Sequence, residues 1–230
     1  MQTPRLTGIS SMATRLLLAG LAAAWHEQGG AEVIFESVGG VDAAKRVGAA
    51  EAFDLVVLAA DAIDKLVASG HAVAGSRTDL VHSAVAVAVR AGATRPDIGS
   101  EAALRQSLLA ARSIGYSTGP SGVALLGLFE RWGLADTLRE RLVQAPAGVP
   151  VGALVARGEV ELGFQQRSEL MHLQGIEMIG EMPAGTQILT TFSAALCAVS
   201  AQPGVVHELL AFLQAPATAQ LKRHHGFEPA

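Results

Sequence analysis

One phrase recurs along this chain and limits what it can fold into: an apolar run of strand length, a corner of small hydroxyl and glycine residues, then a helix. It reads Leu6-Thr7-Gly8-Ile9 followed by Ser10-Ser11, and Val33-Ile34-Phe35 followed by Ser37-Val38-Gly39-Gly40. It returns as Ser113-Ile114-Gly115-Tyr116 followed by Ser117-Thr118-Gly119-Pro120-Ser121-Gly122. Alternation of buried strands with helices specifies a parallel sheet covered on both faces, the α/β class. Each corner also frees backbone N–H groups and hydroxyls at a helix start, which suits an anion.

The first series places strands at Arg5–Ile9, Glu32–Ser37 and Asp54–Ala59, with helices Met12–Gln28, Val41–Ala50 and Ala62–Ser69 between and after them. Gly29-Gly30 and Gly70 stand where helix C-caps belong. A long apolar strand within Asp79–Val89 leads to a second series: helix Ser100–Arg112, strand Ser113–Tyr116, helices Pro120–Arg131 and Ala135–Arg141, strand Leu142–Ala145, helix Val149–Arg157 and strand Glu161–Gln165. An extended stretch, Thr186–Val199, precedes helices Pro203–Leu213 and Ala217–His224. Two α/β series joined by long extended segments predict two Rossmann-like lobes with a hinge and an interdomain cleft. Residues 1–80 with 186–230 would form one lobe and 81–185 the other.

With 230 residues the chain can bury a substantial core, and half of it is hydrophobic against 17% charged. A net charge of −4 without a basic run argues against nucleic-acid binding. Local N–H groups and a single Arg still suffice to hold an anion in an acidic protein. The lone Cys197, inside Ala194–Val199, reads as a buried inert thiol, with no disulfide framework or thiolate metal site. No stretch has the length of a membrane span, so no membrane insertion is expected. Met12–Trp25 is apolar, but Arg15 interrupts it and a strand precedes it, which suits a β–α unit rather than a secretion signal. The chain as given therefore reads as cytoplasmic. It would be periplasmic if Gln2-Thr3-Pro4 begins a mature chain whose signal was replaced by a cloning Met.

Neither a dinucleotide fingerprint nor a P-loop occurs, and no nucleophile elbow, so no cofactor is implied. His172 and His224-His225 lack metal-ligand spacing and read as surface residues, and Met171, Met178 and Met182 as packing. Ser10 and Ser11 read as an N-cap worth about 1 kcal/mol, with a ligand contact by the same groups. The Ser117–Gly122 turn permits close backbone approach to a ligand. Arg77 reads either as an ion pair with Asp79 or a helix end, or as a bidentate clamp on a carboxylate. His82 is a structural histidine or a proton carrier. Glu36 is a solvated strand-end carboxylate or a general base.

An ordered set of phrases carries a resemblance: Leu6–Met12, Ala52–Leu58, Ala74–Leu80 and Leu154-Val155-Ala156-Arg157-Gly158-Glu159-Val160-Glu161-Leu162-Gly163-Phe164-Gln165. The chain resembles, over essentially its whole length, type II solute-binding proteins of the molybdate-binding-protein-like branch, which also includes aconitate isomerases. The resemblance implies a small oxyanion or polycarboxylate ligand. It places Ser10, Ser11, Ser37 and Gly39 at the ligand in one lobe, and Ser117, Ser121, Gly122, the loop Pro146–Val149, Gln165 and Gln166 in the other. Two activities fit: an isomerase that moves a proton α to a carboxylate, for which the residue reading offers Glu36 or His82 as base and Arg77 on a carboxylate, or the capture component of an importer. An ABC permease would be a partner only of an exported chain.

Overall fold

A computed structural model describes residues 5–230; Gln2-Thr3-Pro4 lies outside the described residues. In chain order the elements are β1 (Arg5–Ser11), α1 (Arg15–Glu27), β2 (Glu32–Val38), α2 (Gly40–Gly48), β3 (Leu55–Ala59), α3 (Ala60–Ala68) and β4 (Thr78–Arg90). Then come α4 (Glu101–Ala110), β5 (Ile114–Tyr116), α5 (Pro120–Arg131), α6 (Ala135–Leu138), β6 (Leu142–Gln144), α7 (Val151–Ala156), β7 (Leu162–Gln166) and α8 (Arg167–Leu170). The chain ends with β8 (Ile176–Glu181), β9 (Leu189–Leu196), α9 (Pro203–Gln214), α10 (Ala219–His224) and β10 (Glu228–Pro229). Two compact units result: Met1–His82 with Thr191–Ala230, and Ser83–Thr190. The chain passes between them inside β4 and β9.

In the first unit β1 is parallel to both β2 and β3, and β9 runs antiparallel to β3. The pattern of apolar residues explains why β3 lies inside. All of Leu55-Val56-Val57-Leu58-Ala59 is buried, so both faces of the strand need cover. Leu55 and Val57 face Leu17, Leu18 and Leu21 of α1 and Val206, Leu209 and Leu213 of α9. Val56 and Leu58 face Val47 of α2 and Ile63 and Leu66 of α3. Each such side chain contributes about 1.5–3 kcal/mol through burial. Asp54 pins the start of β3: its carboxylate accepts the Thr7 N–H at 2.9 Å and the Ser200 hydroxyl at 2.6 Å.

The second unit repeats the plan. Strands β6 and β7 flank β5 in parallel, while β4 runs antiparallel to β7 and β8 antiparallel to β4. Val85, Val87, Ile114, Leu162 and Phe164 pack with Leu104, Leu108, Leu125 and Phe129 of α4 and α5. Val151, Leu154 and Val155 of α7 form a separate cluster with Ala145 and Val160. The sheets are therefore mixed, rather than wholly parallel as the alternation alone predicts. The elements β8, α8 and β10 are additions to the expected series.

Chain ends of helices follow their chemistry. Gly29 and Gly70 adopt φ of +85° and +76° after α1 and α3, a left-handed cap that L side chains resist. The expected helix from Met12 instead begins with a 3-10 turn, Met12–Thr14, because the backbone stays extended through Ser11 at φ −72°, ψ 154°. Cys197 is buried, as expected, and burial together with nearby Asp54 pushes its thiol up to about 12.

Candidate functional site

Ligands of open α/β sheets collect beyond the C-terminal ends of parallel strands, where helix N-termini point outward. Each unit presents such an edge.

In the first unit the edge is built from the ends of β1, β2 and β3. The Ser10 and Ser37 hydroxyls meet at 2.8 Å across the parallel pair, which sets Ser10 level with Ser37. Ser10 is fully buried and Ser11 nearly so. The Ser11 Oγ makes no hydrogen bond among the described residues, so it does not act as the helix cap the sequence predicts. Its carbonyl is used instead, accepting the Thr14 hydroxyl at 3.1 Å. Gly39 stands at the N-cap of α2, and the first helical residue, Gly40, approaches the Ser11 side chain. A buried hydroxyl without a partner costs free energy that an incoming oxyanion would recover.

The other residues singled out in this unit have partners. Glu36 is half-exposed, and Arg46 from α2 donates to both of its oxygens, at 2.5 and 3.0 Å. The Arg46 hydrogen bonds hold this carboxyl below its usual range, which weakens it as a base. Arg77 bonds Asp64 at 2.6 Å and Asp79 at 3.0 Å. Asp79 also accepts from Ser193 at 2.6 Å; burial opposes ionisation there, but Ser193 and Arg77 prevail and keep the group low. His82 Nδ1 bonds the Thr191 hydroxyl at 3.0 Å, so its partner is a side chain rather than backbone.

In the second unit the edge comprises the segments following β5, β6 and β7. The Ser117 and Ser121 hydroxyls meet at 3.0 Å at the start of α5, where Pro120 occupies the first turn as expected. Gly122 is there because nothing larger fits: a Cβ would lie 1.9 Å from the Ser117 carbonyl oxygen. The Pro146–Val149 loop closes a turn, with the Val149 N–H donating to the Pro146 carbonyl and Gly148 at φ +76°. Gln165 is buried, and its Oε1 accepts the Val151 N–H at 2.7 Å. Gln166 donates from Nε2 to Thr190 at 2.7 Å.

Residue type and spacing do not single out the segment after Gln166, yet the structure does. Gln166 Oε1, Ser168 Oγ and Ser83 Oγ are all buried without hydrogen-bond partners among the described residues. The β4–β7 ladder ends on the pair Val85–Gln166, where β7 gives way to α8. Glu169 follows Ser168 on α8. Burial pushes its carboxyl up to about 7, against the opposing pull of a hydrogen bond from Gln165. The signal available in the sequence is a polar run, Gln165-Gln166-Arg167-Ser168-Glu169, directly after a buried strand. Among the described residues no group of three or more His, Cys, Asp or Glu is placed to hold a metal ion. No helix there is long and apolar enough to cross a membrane.

This geometry agrees with relationships found by comparison. The family model described as bacterial extracellular solute-binding protein matches residues 6–228. The chain belongs to that family. It is 42% identical over 180 residues, 78% of this chain and 68% of the relative, to a Pseudomonas protein named aconitate isomerase. The periplasmic molybdate-binding protein of Azotobacter vinelandii superposes with a TM-score of 0.79 at 20% identity, covering 96% of this chain and 98% of that one. The sulfate-binding protein of Mycobacterium tuberculosis also gives 0.79, at 17% identity, with 98% and 87% covered. Both likenesses establish the fold, the type II solute-binding kind that the resemblance led one to expect.

Proposed function

We propose that this protein is an isomerase of an unsaturated polycarboxylate of the aconitate type. The observation that carries the reading is the 42% identity to an aconitate isomerase across most of the chain. The strand-end corners supply the chemistry such a reaction needs. Hydroxyls and N–H groups at Ser10, Ser11 and Ser37, and at Ser117 and Ser121, are donors suited to carboxylate oxygens, and Gly122 keeps the second corner open to close approach.

The reaction removes a proton from the methylene carbon α to one carboxylate. The electron pair spreads through the neighbouring double bond, and a proton returns at the other allylic carbon. The double bond shifts, and no oxidant is required. Fixed N–H and O–H donors lower the barrier by stabilising charge as it develops on the carboxylates. A base then contributes about 10²–10⁴-fold.

A second reading is favoured by the family's own description: capture of a small oxyanion or carboxylate for an importer, for which a permease would be the partner. Hydroxyl and N–H donors suffice for that task. The two readings separate on mixing purified protein with cis-aconitate and following trans-aconitate by proton NMR, with molybdate and citrate as competitors. Catalytic conversion is expected. Saturable binding of one anion without conversion would replace the isomerase with a binding protein.

A further inference from the structure

The isomerase reading needs a proton carrier, and the groups first considered are committed elsewhere: Glu36 to Arg46, and His82 to Thr191. Resting on that reading, we propose that Glu169 carries the proton between the two allylic carbons, held in place by Gln165.

Three features of the second unit support the assignment. The first is position. Strands β5 and β7 are parallel, with Ile114 level with Leu162 and Gly115 with Gly163. The register brings Ser117 level with Gln165, so the Ser117–Gly122 corner and the segment carrying Glu169 leave the same edge of the sheet. A carboxylate seated at the corner has its reacting carbons on that edge.

The second is orientation. The Val151 N–H can only donate, so it fixes the Gln165 carbonyl toward α7 at 2.7 Å. The amide Nε2 is thereby left as the donor available to the nearby Glu169 carboxyl, on which Gln165 acts to favour the ionised form. One backbone bond thus fixes the base through a buried amide.

The third is unfinished bonding. Gln166 Oε1 and Ser168 Oγ, three residues and one residue before Glu169, are buried and have no partner among the described residues. Buried polar atoms of this kind mark space for a bound polar molecule.

Charge around Glu169 is neutralised in pairs. On its own helix Arg167 bonds Glu181 of β8 at 3.0 Å, and the other β8 carboxylate, Glu177, is held by Arg95. Strand β7 carries no charged residue, and His172 lies beyond the helix. Partial burial therefore governs the group, raising the carboxyl to about 7, where a base works best near neutral pH.

The proton balance closes on this one group. The methylene C–H bond breaks as the Glu169 carboxylate takes the proton. The allylic electron pair is held by the substrate's carboxylates, and the Glu169 carboxyl delivers a proton to the far carbon, regenerating the carboxylate; between the two steps that proton can exchange with solvent.

The test compares wild type, Glu169→Gln and Glu169→Asp for cis-aconitate conversion, with tricarballylate affinity measured by calorimetry and folding by circular dichroism. Glu169→Gln keeps the hydrogen bond from Gln165, so tricarballylate affinity should stay within about threefold while turnover falls by about 10²–10⁴-fold. Wild-type kcat/KM should rise with pH through an acid limb near 7, and that limb should be absent from the residual activity of the Gln variant. If Glu169→Gln does not fold, Glu169→Asp should fold, turn over slowly and show a displaced limb. Turnover of Glu169→Gln within fivefold of wild type would overturn the assignment, as would a loss matched by lost tricarballylate affinity, or an unmoved limb in Glu169→Asp. Wild type that binds tricarballylate but converts nothing would overturn the isomerase reading itself.

Discussion

Two glycines on α5, five residues apart, should respond oppositely to the same added methyl group. At Gly122 the new Cβ would sit 1.9 Å from the Ser117 carbonyl oxygen, 2.9 Å from its carbon and 3.2 Å from Tyr116 Cδ2. The first two contacts are backbone, so no rotamer change relieves them; the Ser117–Pro120 turn must move by more than an ångström. Overpacking of this kind costs about 1–3 kcal/mol, and a rigid backbone neighbour puts it at the upper end. The gain in helix propensity from Gly to Ala, at most about 1 kcal/mol, offsets part of it. Net destabilisation of roughly 2 kcal/mol should lower the thermal midpoint by roughly 4–8 °C in a chain of this size. At Gly127 the Cβ meets only the Arg131 Nη1 at 3.8 Å, an ordinary contact. Gly127→Ala should therefore raise the midpoint by roughly 1–4 °C. Thermal denaturation followed by circular dichroism reads both. Because the turn carries Ser117 and Ser121, Gly122→Ala should also weaken citrate binding, while Gly127→Ala should not. Equal midpoint shifts in the two variants would refute the account of why this corner needs glycine.

Partial burial of Glu169 also has a consequence for stability. Its folded pKa is raised from 4.5 to about 7, so between those values the unfolded chain ionises first and wild type loses stability as pH rises. The loss is absent below about 4.5 and complete above about 7. Glu169→Gln should match wild type near pH 4.5 and exceed it at pH 8 by on the order of 3 kcal/mol, measured by urea denaturation at the two pH values. A gap that does not change with pH contradicts the burial. Cys197, with its thiol pushed up to about 12, should resist a thiol reagent in the folded protein at pH 8 and react promptly in urea; rapid labelling of the native chain would show that the β9 end is open.

Much of the fold was legible because β3 and the Val85–Val89 half of β4 are buried on both faces and so read as unbroken apolar runs. The direction of β9 was not, because a doubly buried strand has the same composition whether its neighbour is parallel or antiparallel. Ile176–Glu181 escaped notice for the opposite reason. Adjacent Met178 and Ile179 followed by Gly180 and Glu181 break its alternation, and the strand keeps most of its residues only partly covered. The serine and glycine corners could be found from residue type and spacing alone, since Ser10, Ser37 and Gly122 are small for reasons of close approach. The Arg77–Asp79 pair could also be read from spacing, but Arg46 as the partner of Glu36 and Asp64 as the second partner of Arg77 could not, because they meet only after α2 and α3 fold back on the sheet. Glu169 looks in sequence like any carboxylate on a short polar helix. Only the packing of α8 against β7 covers it in part.

The central claim is a proton transfer α to a carboxylate, and the most direct measurement runs the conversion of cis-aconitate in D2O under proton NMR. The account predicts that trans-aconitate accumulates catalytically and that solvent deuterium enters at the allylic positions as the Glu169 proton exchanges with solvent. Unchanged cis-aconitate, in a protein that nevertheless binds molybdate or citrate saturably, would contradict it and leave a solute-binding protein.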